Sequence, residues 1–258
     1  MIIVASDLHL GYEKSNAVAF GRFLEQCRTI DIDHFVLLGD IMDLWRANNA
    51  QIIMDCQDVL EQIGSIEAGN CYYVPGNHDF YMYRLGERYP DGYPFRIVKK
   101  LRLKDDGGTF NFIHGHELEV LANFEPLTPE SYEGISERLC FNQGILGEYA
   151  AHLWELIGSP DRLLDRIGVI RKPPGERGGM DRVRDLATSR GAFMVAGMRP
   201  GERLVFGHTH RPFVDDTGAV ANSGSWVGVS TPDRPRNTYL KIDGGRIELR
   251  IFEKDDFP

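Results

Sequence analysis

Three short apolar runs, each followed by a polar loop, occupy the first 80 residues of the chain, at residues 2–6, 34–38 and 71–74. Their length and content are typical of buried strands, and apolar residues at helical spacing follow the first two. Repetition of strand, loop and helix predicts right-handed crossovers and a parallel sheet with helices on its faces. This pattern constrains the fold more than any other feature of the sequence.

The second run ends abruptly in Gly39 and Asp40, and Asp43 follows three residues later. Asp40 is therefore expected just past the carboxyl end of a buried strand, where open α/β sheets place their ligand sites. Its two carboxylate oxygens can hold two cations at once. Gly39 allows the backbone to turn sharply and to approach a neighbour closely.

The pattern changes after the third strand. Short strands are predicted at residues 95–98, 101–103 and 109–113, and the turn at residues 105–108 predicts a hairpin. Thr128 and Pro129 are typical of a helix start, with Thr as the N-cap and Pro at the first helical position.

Strands resume at residues 203–206 and 220–222, and a last hairpin is predicted over residues 237–252. We therefore expect a core of residues 1–117 and 202–258, interrupted by a helical cap insertion of residues 118–201.

Composition is ordinary for a globular protein, with 42% hydrophobic and 26% charged residues in 258. The net charge of −9 argues against nucleic-acid binding through a basic surface. The four cysteines form no CxxC pair and are interpreted as buried, reduced thiols. No signal peptide and no membrane-spanning run is recognised, so a soluble, cytoplasmic protein is expected.

Five loops carry the same kinds of side chain, each at the end of an apolar run: Asp7-x-His9, Gly39-Asp40-x-x-Asp43, Gly76-Asn77-His78-Asp79, His114-Gly115-His116 and Gly207-His208-x-His210. Imidazole, carboxylate and amide oxygen without thiolate suit Mn²⁺, Fe, Zn²⁺ or Ni²⁺. Seven or more such groups exceed the needs of one ion. The sequence therefore predicts two ions, with Asp40 as the bridge.

In this order, the five blocks resemble the calcineurin-like metallophosphoesterase family from Asp7 to His210. The resemblance implies an α/β fold, a four-layer αββα sandwich of two packed sheets flanked by helices. It also implies two ligand sets that share one aspartate: Asp7, His9, Asp40 and His210 for one metal, and Asp40, Asn77, His114 and His208 for the other.

The same resemblance implies that His78 faces the substrate phosphate, with Asp43 accepting its ring N–H. Two ions about 3.5–4 Å apart would lower the pKa of a bridging water, and the hydroxide would attack phosphorus in line with the leaving oxygen. Asn77 and His78 would neutralise charge on the transferring oxygens, and His78 could protonate the leaving group. The expected activity is metal-dependent hydrolysis of a phosphoric ester or pyrophosphate bond, with Mn²⁺ as the first candidate.

Three further side chains are candidate substrate contacts. Arg46 and Arg211 adjoin the blocks, and a solvated guanidinium is the alternative for Arg46. His116 could contact substrate, support a ligand by a hydrogen bond, or be a simple loop residue. His34 and His152 lie outside the blocks and are interpreted as ordinary hydrogen-bonded residues.

Within the family, the chain most resembles the UDP-2,3-diacylglucosamine hydrolase branch, through residues 7–11, the helical insertion and residues 208–212. Those enzymes cleave a pyrophosphate in a nucleotide-linked lipid precursor. The chain departs at His78, where the branch commonly carries Arg, and at His116, where it commonly has Asp.

Charge within the insertion bears on the substrate. Residues 161–203 hold ten Lys/Arg and six Asp/Glu, a balance of +4 within an acidic chain. Such a surface could bind a second phosphate or a lipid headgroup, with peripheral membrane contact, and a solvated helix surface is the alternative.

Three activities or roles remain open. The leading one is a pyrophosphatase of a nucleotide-linked or lipid substrate. Another phosphodiesterase, phosphatase or nuclease of the same fold is the second, although no nucleic-acid partner is expected. The third is a non-catalytic metal-binding interaction module, like the retromer subunit that resembles this fold. Such modules lack some of the metal ligands or the active-site histidine, whereas this chain has all seven predicted ligands and His78.

Overall fold

The computed structural model describes residues 1–124, 126–141, 179–232 and 234–252. Numbered through these residues, the strands are β1 (Ile2–Ala5), β2 (His34–Leu37), β3 (Asn70–Tyr73), β4 (Arg96–Ile97), β5 (Leu101–Asp105), β6 (Gly108–Phe112), β7 (Arg203–Phe206), β8 (Phe213–Val214), β9 (Val220–Asn222), β10 (Thr238–Asp243) and β11 (Arg246–Ile251). The helices are α1 (Ala17–Cys27), α2 (Asn49–Asp55), α3 (Gln57–Gly64), α4 (Tyr81–Arg88), α5 (His116–Asn123), α6 (Pro129–Phe141), α7 (Gly179–Ala187) and α8 (Gly191–Ala196).

The described strands form two sheets. The first has the order β11-β10-β1-β2-β3-β4, and the second has the order β5-β6-β7-β9-β8. Strands β1 to β4 are parallel, as the repeated strand and helix pattern predicts, while β10 pairs antiparallel with β1. In the second sheet β6, β7 and β9 are parallel, and β5 and β8 run antiparallel at the edges.

Side chains of β1 alternate between two apolar clusters. Ile3 and Ala5 pack with residues of the helices on the outer face, whereas Ile2 and Val4 pack against the second sheet. This alternation follows from the two-residue period of a strand. A strand buried on both faces needs apolar residues at every position, which explains the unbroken apolar runs in the sequence.

A third cluster covers the opposite face of the second sheet. Leu204 and Phe206 of β7 pack there with Leu118 of α5 and Val183 of α7. Helices therefore cover the outer face of each sheet, and the sheets cover one another. The predicted four-layer α/β sandwich is confirmed.

Local structure differs from prediction at two helices. The apolar pattern predicts one helix over residues 52–63, but the structure has α2 and α3 separated at Cys56, whose φ is −118°. The sequence offers Ser15 or Asn16 as the N-cap of the first helix; Asn16 lies at the N-cap of α1, yet its side chain makes no capping bond. It instead donates to the carbonyl of Gly228 (3.0 Å) and to Oδ1 of Asn237 (2.8 Å). Long-range contacts thus outweigh the local capping preference.

The described part of the predicted insertion packs directly on the sandwich. Tyr132 and Cys140 of α6 join the cluster outside the first sheet, and α5 and α7 join the cluster outside the second. The Thr128 hydroxyl accepts from the amide of Ser131 (3.3 Å), as expected for a cap. Residues 142–178, which include His152, lie outside the described residues, and the division into core and cap stays a prediction.

Among the described residues, no helix combines the length and apolar character required to cross a lipid bilayer.

Candidate metal centre

Five loops meet at one end of the sandwich, and they come from both sheets. Their polar residues follow β1 (Asp7, His9), β2 (Asp40, Asp43), β3 (Asn77, His78), β6 (His114) and β7 (His208, His210). Parallel strands place their carboxyl ends at the same edge of a sheet. Loops that are far apart in the sequence therefore lie close together in the structure.

The backbone is strained at most of these residues. A positive φ, between 51° and 65°, occurs at Asp7, His9, Asp40, His208 and His210. This left-handed region is unfavourable for residues with a Cβ. Asn237 is the remaining non-glycine residue with positive φ in the described ranges. Such strain persists where the surrounding structure requires it, which is common at functional sites.

One group of donors comprises Asp7, His9 and His210. Nε2 of His210 lies 3.1 Å from Oδ1 of Asp7 and 3.3 Å from Nε2 of His9. The three ligand atoms all lie within 4.8 Å of one another. This spacing brings one carboxylate and two imidazoles around a point where a cation could bind.

A second group comprises Asp40, His114 and His208, again within 4.8 Å of one another. Oδ2 of Asp40 lies 3.2 Å from Nε2 of His114 and 3.6 Å from Nε2 of His9. Asp40, a member of the second group, therefore also lies close to His9 of the first group. Its role as a bridging carboxylate stays a prediction.

Asn77 belongs beside this second group. The amide of its neighbour His78 donates to Oδ1 of Asp40 (2.8 Å), and Gly76 packs against the same carboxylate. The structure thus brings together six of the seven side chains that the sequence predicts as metal ligands, and it places Asn77 between two residues that contact Asp40.

Buried atoms without partners indicate that the residues fit a pair of cations. Oδ1 of Asn77 and Nε2 of His114 are buried and make no well-aligned hydrogen bond among the described residues, although Nε2 lies 3.2 Å from Oδ2 of Asp40. Nδ1 of His114 donates to the carbonyl of Leu38 (2.9 Å), which leaves a lone pair on Nε2. Buried polar atoms are normally satisfied, so these two require an additional partner. Imidazole and oxygen donors without thiolate suit Mn²⁺, Fe, Zn²⁺ or Ni²⁺.

Three glycines allow the backbone to approach the ligands. An added Cβ would lie 2.3 Å from Nδ1 of His114 at Gly39, 2.2 Å from Oδ1 of Asp40 at Gly76 and 2.5 Å from Oδ2 of Asp7 at Gly207. Gly39 also has a φ of +82°, which confirms the sharp turn predicted after β2.

Asp43 holds two imidazoles on one carboxylate. Its Oδ1 accepts from Nδ1 of His78 (2.9 Å), and its Oδ2 accepts from Nδ1 of His9 (3.1 Å). Both histidines therefore carry the N–H on Nδ1 and present Nε2 away from Asp43. Trp45 stacks on the His78 ring with a centroid separation of 4.2 Å. The orientation of His78 is fixed by a hydrogen bond and by a packed aromatic face.

The charges of the centre are strongly coupled. Burial alone would raise the pKa of Asp40, but His114 and His78 keep it well below its ordinary value. Burial would likewise lower the pKa of His114, but the carboxylates of Asp40 and Asp7 raise it to about 10. The carboxylates thus stay ionised and attract positive charge, whether a proton or a metal cation, to the lone pairs around them.

The three candidate substrate contacts have different surroundings. The guanidinium of Arg46 pairs with the Asp43 carboxylate and lies over the Tyr12 ring at 4.8 Å. Arg211 pairs with Oδ1 of Asp181 at 2.9 Å and is partly exposed. His116 is buried behind His114, with ring centroids 5.7 Å apart. Of the three, Arg211 is the most accessible to a ligand in solution.

Two supporting residues have no role in the sequence-based assignment. Oε2 of Glu119 lies 2.5 Å from Nε2 of His208 and so orients that ring. Oδ1 of Asp79 accepts from the amide of Gly76, and Oδ2 accepts from the amide of Ile41 (2.7 Å). Asp79 is within the third motif, but no sequence signal distinguishes Glu119 from other acids of α5. Its position depends on packing between helix and sheet.

Solved structures with similar folds have low sequence identity to this chain. Yfce, a phosphoesterase from E. coli, is 16% identical with a TM-score of 0.46, over 100% of this chain and 94% of that chain. A dimetal phosphatase from Danio rerio is 12% identical with a TM-score of 0.46, over 98% of both chains. A single mutant of Vps29 from Entamoeba histolytica is 14% identical with a TM-score of 0.40, over 96% of both chains. Structural similarities with these sequence identities and TM-scores support no conclusion about function.

Curated proteins show no significant match to the chain. Residues 1–212, in contrast, match the family model described as calcineurin-like phosphoesterase. This span covers most of the 258 residues and contains all five loops of the metal centre. The match confirms the resemblance at the level of the family and does not distinguish a branch within it. The chain therefore belongs to the calcineurin-like phosphoesterase family and is a metal-dependent phosphoester hydrolase.

Proposed function

We propose that the protein hydrolyses a phosphodiester or pyrophosphate bond in a small phosphorylated substrate with two divalent cations, Mn²⁺ before Fe, Zn²⁺ or Ni²⁺. The observation that carries this proposal is the pair of adjacent, largely buried donor groups that meet where Asp40 of one group approaches His9 of the other. The proposed ligands are Asp7, His9, Asp40 and His210 for one cation, and Asp40, Asn77, His114 and His208 for the other.

When bound, the cations would supply a water of lowered pKa as nucleophile and would neutralise charge on the phosphoryl oxygens. His78 keeps its N–H on Nδ1 against Asp43, so its Nε2 is the atom that would face substrate. A protonated Nε2 could donate to a phosphoryl oxygen or to the leaving oxygen. Asp43 would stabilise that protonated ring, and Trp45 excludes water from one of its faces.

A basic cavity beside the centre favours a substrate with a second anionic group. The cavity has a volume of about 300 Å³ and is lined by Thr209, between the ligands His208 and His210, and by three arginines. These are Arg184, Arg211 and Arg234, with Asp181 as the acidic residue of the lining. Arginines recognise phosphate through several parallel hydrogen bonds. A pyrophosphate or a nucleotide diphosphate could place one phosphorus at the centre and the other charge here.

The finer substrate proposal is a nucleotide-linked lipid, as in the UDP-2,3-diacylglucosamine hydrolase branch. It is supported by the sequence resemblance and by the basic cavity, while His78 and His116, in place of the branch's Arg and Asp, count against it. We further propose a cytoplasmic location with peripheral membrane contact.

A substrate panel with Mn²⁺ tests the proposal. It would comprise bis(p-nitrophenyl) phosphate, a cyclic nucleotide, a UDP-linked lipid and DNA. We expect the pyrophosphate-linked substrate to have the highest kcat/KM. Arg211→Ala should raise KM for that substrate by roughly tenfold and leave bis(p-nitrophenyl) phosphate unaffected. Arg22→Ala, on the exposed face of α1, is the matched control.

Two results would contradict the proposal. DNA as the best substrate would indicate a nuclease of the same fold. Absence of turnover on every substrate, together with fewer than two equivalents of bound Mn²⁺, would indicate an interaction module.

A further inference from the structure

A second cluster of buried polar side chains lies next to the proposed metal centre. His116 and Glu117 are at the start of α5, and Glu133 is on the facing helix α6. Their exposed fractions are 2%, 3% and 5%, respectively. None of the three belongs to the seven proposed ligands, and the proposed hydrolysis assigns them no role.

The His116 ring lies between the two carboxylates without bonding to either. Its Nδ1 is 3.8 Å from Oε2 of Glu117, and its Nε2 is 3.6 Å from Oε1 of Glu133. Both separations exceed hydrogen-bond length. Both ring nitrogens and Oε1 of Glu133 are buried and have no hydrogen-bond partner among the described residues. Buried polar atoms are normally satisfied, so a partner that joins one ring nitrogen to Oε1 of Glu133 would fit this place.

Both carboxylates of the cluster remain charged although they are buried. Oε2 of Glu133 pairs with Nζ of Lys99 (2.7 Å), and Oε2 of Glu117 accepts from the backbone amide of Gly115 (3.2 Å). Lys99 offsets the charge of Glu133. Burial alone would raise the pKa of Glu117, but His116, its own backbone amide and Lys100 keep it below its ordinary value. Buried carboxylates are costly unless they are paired or coordinate a metal.

The surroundings of the cluster are aromatic. The Phe80 ring meets the His116 ring edge-on at 6.0 Å, and the Tyr132 ring lies 5.8 Å away on the side of α6. One donor atom from each of His116, Glu117 and Glu133 lies within 4.8 Å of the other two. A small inward shift of the three side chains would bring their donor atoms to coordination distance from a common point. The Phe80 and Tyr132 rings would exclude water from one side of that point.

We propose that His116, Glu117 and Glu133 bind a third divalent cation, separate from the pair at Asp40. One imidazole nitrogen and two carboxylate oxygens suit Mn²⁺, Fe²⁺ or Zn²⁺. A cation here would use one nitrogen of His116, one oxygen of Glu117 and the free Oε1 of Glu133, while Lys99 keeps the other oxygen of Glu133. It would join α5 to α6 behind the His114 and His208 rings. The proposal does not depend on the phosphoester activity.

Crystals grown with Mn²⁺ in excess test the site by anomalous scattering, and metal analysis of the same protein gives the stoichiometry. We expect an anomalous peak among the three side chains and about three equivalents of metal. Glu133→Gln and Glu117→Gln should each lose that peak and keep the two at Asp40. Glu130→Gln, an exposed residue of the same helix, is the matched control and should keep all three.

Asp40→Asn separates this proposal from the proposed function. It should lose the peaks at the paired centre and retain the one at His116. Wild-type crystals with density for the three side chains but without an anomalous peak among them would overturn the third site. The same holds if Glu133→Gln and Glu117→Gln, both folded by circular dichroism, keep the full metal content. In that case a proton shared between the imidazole and the carboxylates explains the cluster.

Discussion

His78 and Asp40 lie 38 residues apart in the sequence, and the His78 amide donates to the Asp40 carboxylate. Their side chains nevertheless have different proposed roles. Asp40 directs its carboxylate between the two donor groups, whereas His78 directs its ring at Asp43 and Trp45. Loss of Asp40 therefore removes a shared ligand, while loss of the His78 ring removes a group that would act on substrate.

We expect His78→Ala to lower kcat by roughly 10²–10⁴-fold with metal content unchanged. Asp40→Asn should lose metal and activity together, because an amide cannot offset the repulsion between two cations. Metal content by elemental analysis and kcat on bis(p-nitrophenyl) phosphate would check both. His34→Ala, outside the centre, serves as the control, and equal metal loss in the two variants would contradict the assigned roles.

Glu119 is a positioning residue, because it acts on His208 rather than on substrate. Its carboxylate holds the N–H on Nε2 and so leaves Nδ1 of His208 for a cation. Glu119→Ala should weaken Mn²⁺ binding roughly 10- to 100-fold, and Glu119→Gln, which still accepts a hydrogen bond, should recover part of the loss. Calorimetric titration measures both affinities. An unchanged affinity in Glu119→Ala, with reduced kcat, would show that the residue acts on substrate instead.

At the scale of elements, the loops after β1, β2 and β3 depend on one another. The amide of Asp7 donates to the carbonyl of Gly39 (2.9 Å), and the amide of His9 donates to the carbonyl of Asp40 (2.8 Å). Asp79 then joins the loop after β3 to that after β2. A distortion in one loop should therefore move ligands in the others.

Gly76→Ala tests this dependence. The new Cβ would meet Oδ1 of Asp40 at 2.2 Å, so the loop or the carboxylate must shift. Overpacking typically costs about 1–3 kcal/mol, and we expect metal affinity to fall by roughly ten- to hundredfold. Gly134→Ala in α6, where nothing lies within 4 Å of the added Cβ, is the control. Equal Mn²⁺ affinities of the two variants by calorimetry would show that the loop can relax without moving Asp40.

At the scale of the whole molecule, packing protects the cysteines. All four are free; Cys27 and Cys140 are buried as predicted, whereas Cys56 and Cys71 are half-buried. Burial raises the pKa of Cys27, Cys71 and Cys140 to about 12. Thiolates form at about pH 8.5 in an unfolded chain. The folded protein therefore holds these protons longer than the unfolded chain, and stability should fall as the pH rises above that value.

Thiol alkylation measures this protection. At pH 8 a thiol with a pKa of about 12 is roughly one ten-thousandth ionised, so Cys27, Cys71 and Cys140 should resist iodoacetamide in the folded protein. Burial also raises the pKa of Cys56, but less of this side chain is buried, so Cys56 should react first. In denaturant all four should react at similar rates, as followed by mass spectrometry. Rapid alkylation of Cys140 without unfolding would contradict the packing of α6 on the first sheet.

Much of the architecture could be predicted from local sequence patterns. Strands buried on both faces appear as unbroken apolar runs, and the ligands follow them directly, so β1, β2 and β3 and their loops are recognisable. Helix α4 and strand β8 escaped prediction, because Tyr81–Arg88 is largely polar and aromatic and Phe213–Val214 is only two residues long.

The sequence by itself determined which side chains follow each strand and therefore the donor chemistry of the centre. Tertiary structure alone decided the contacts made across the sandwich: Glu119 on His208, Asp43 between two imidazoles, and His116 between two glutamates. The physical reason is that strand periodicity and turn chemistry act over a few neighbouring residues. The meeting of two sheets and their helices depends on packing between residues that the sequence separates by tens to hundreds of positions.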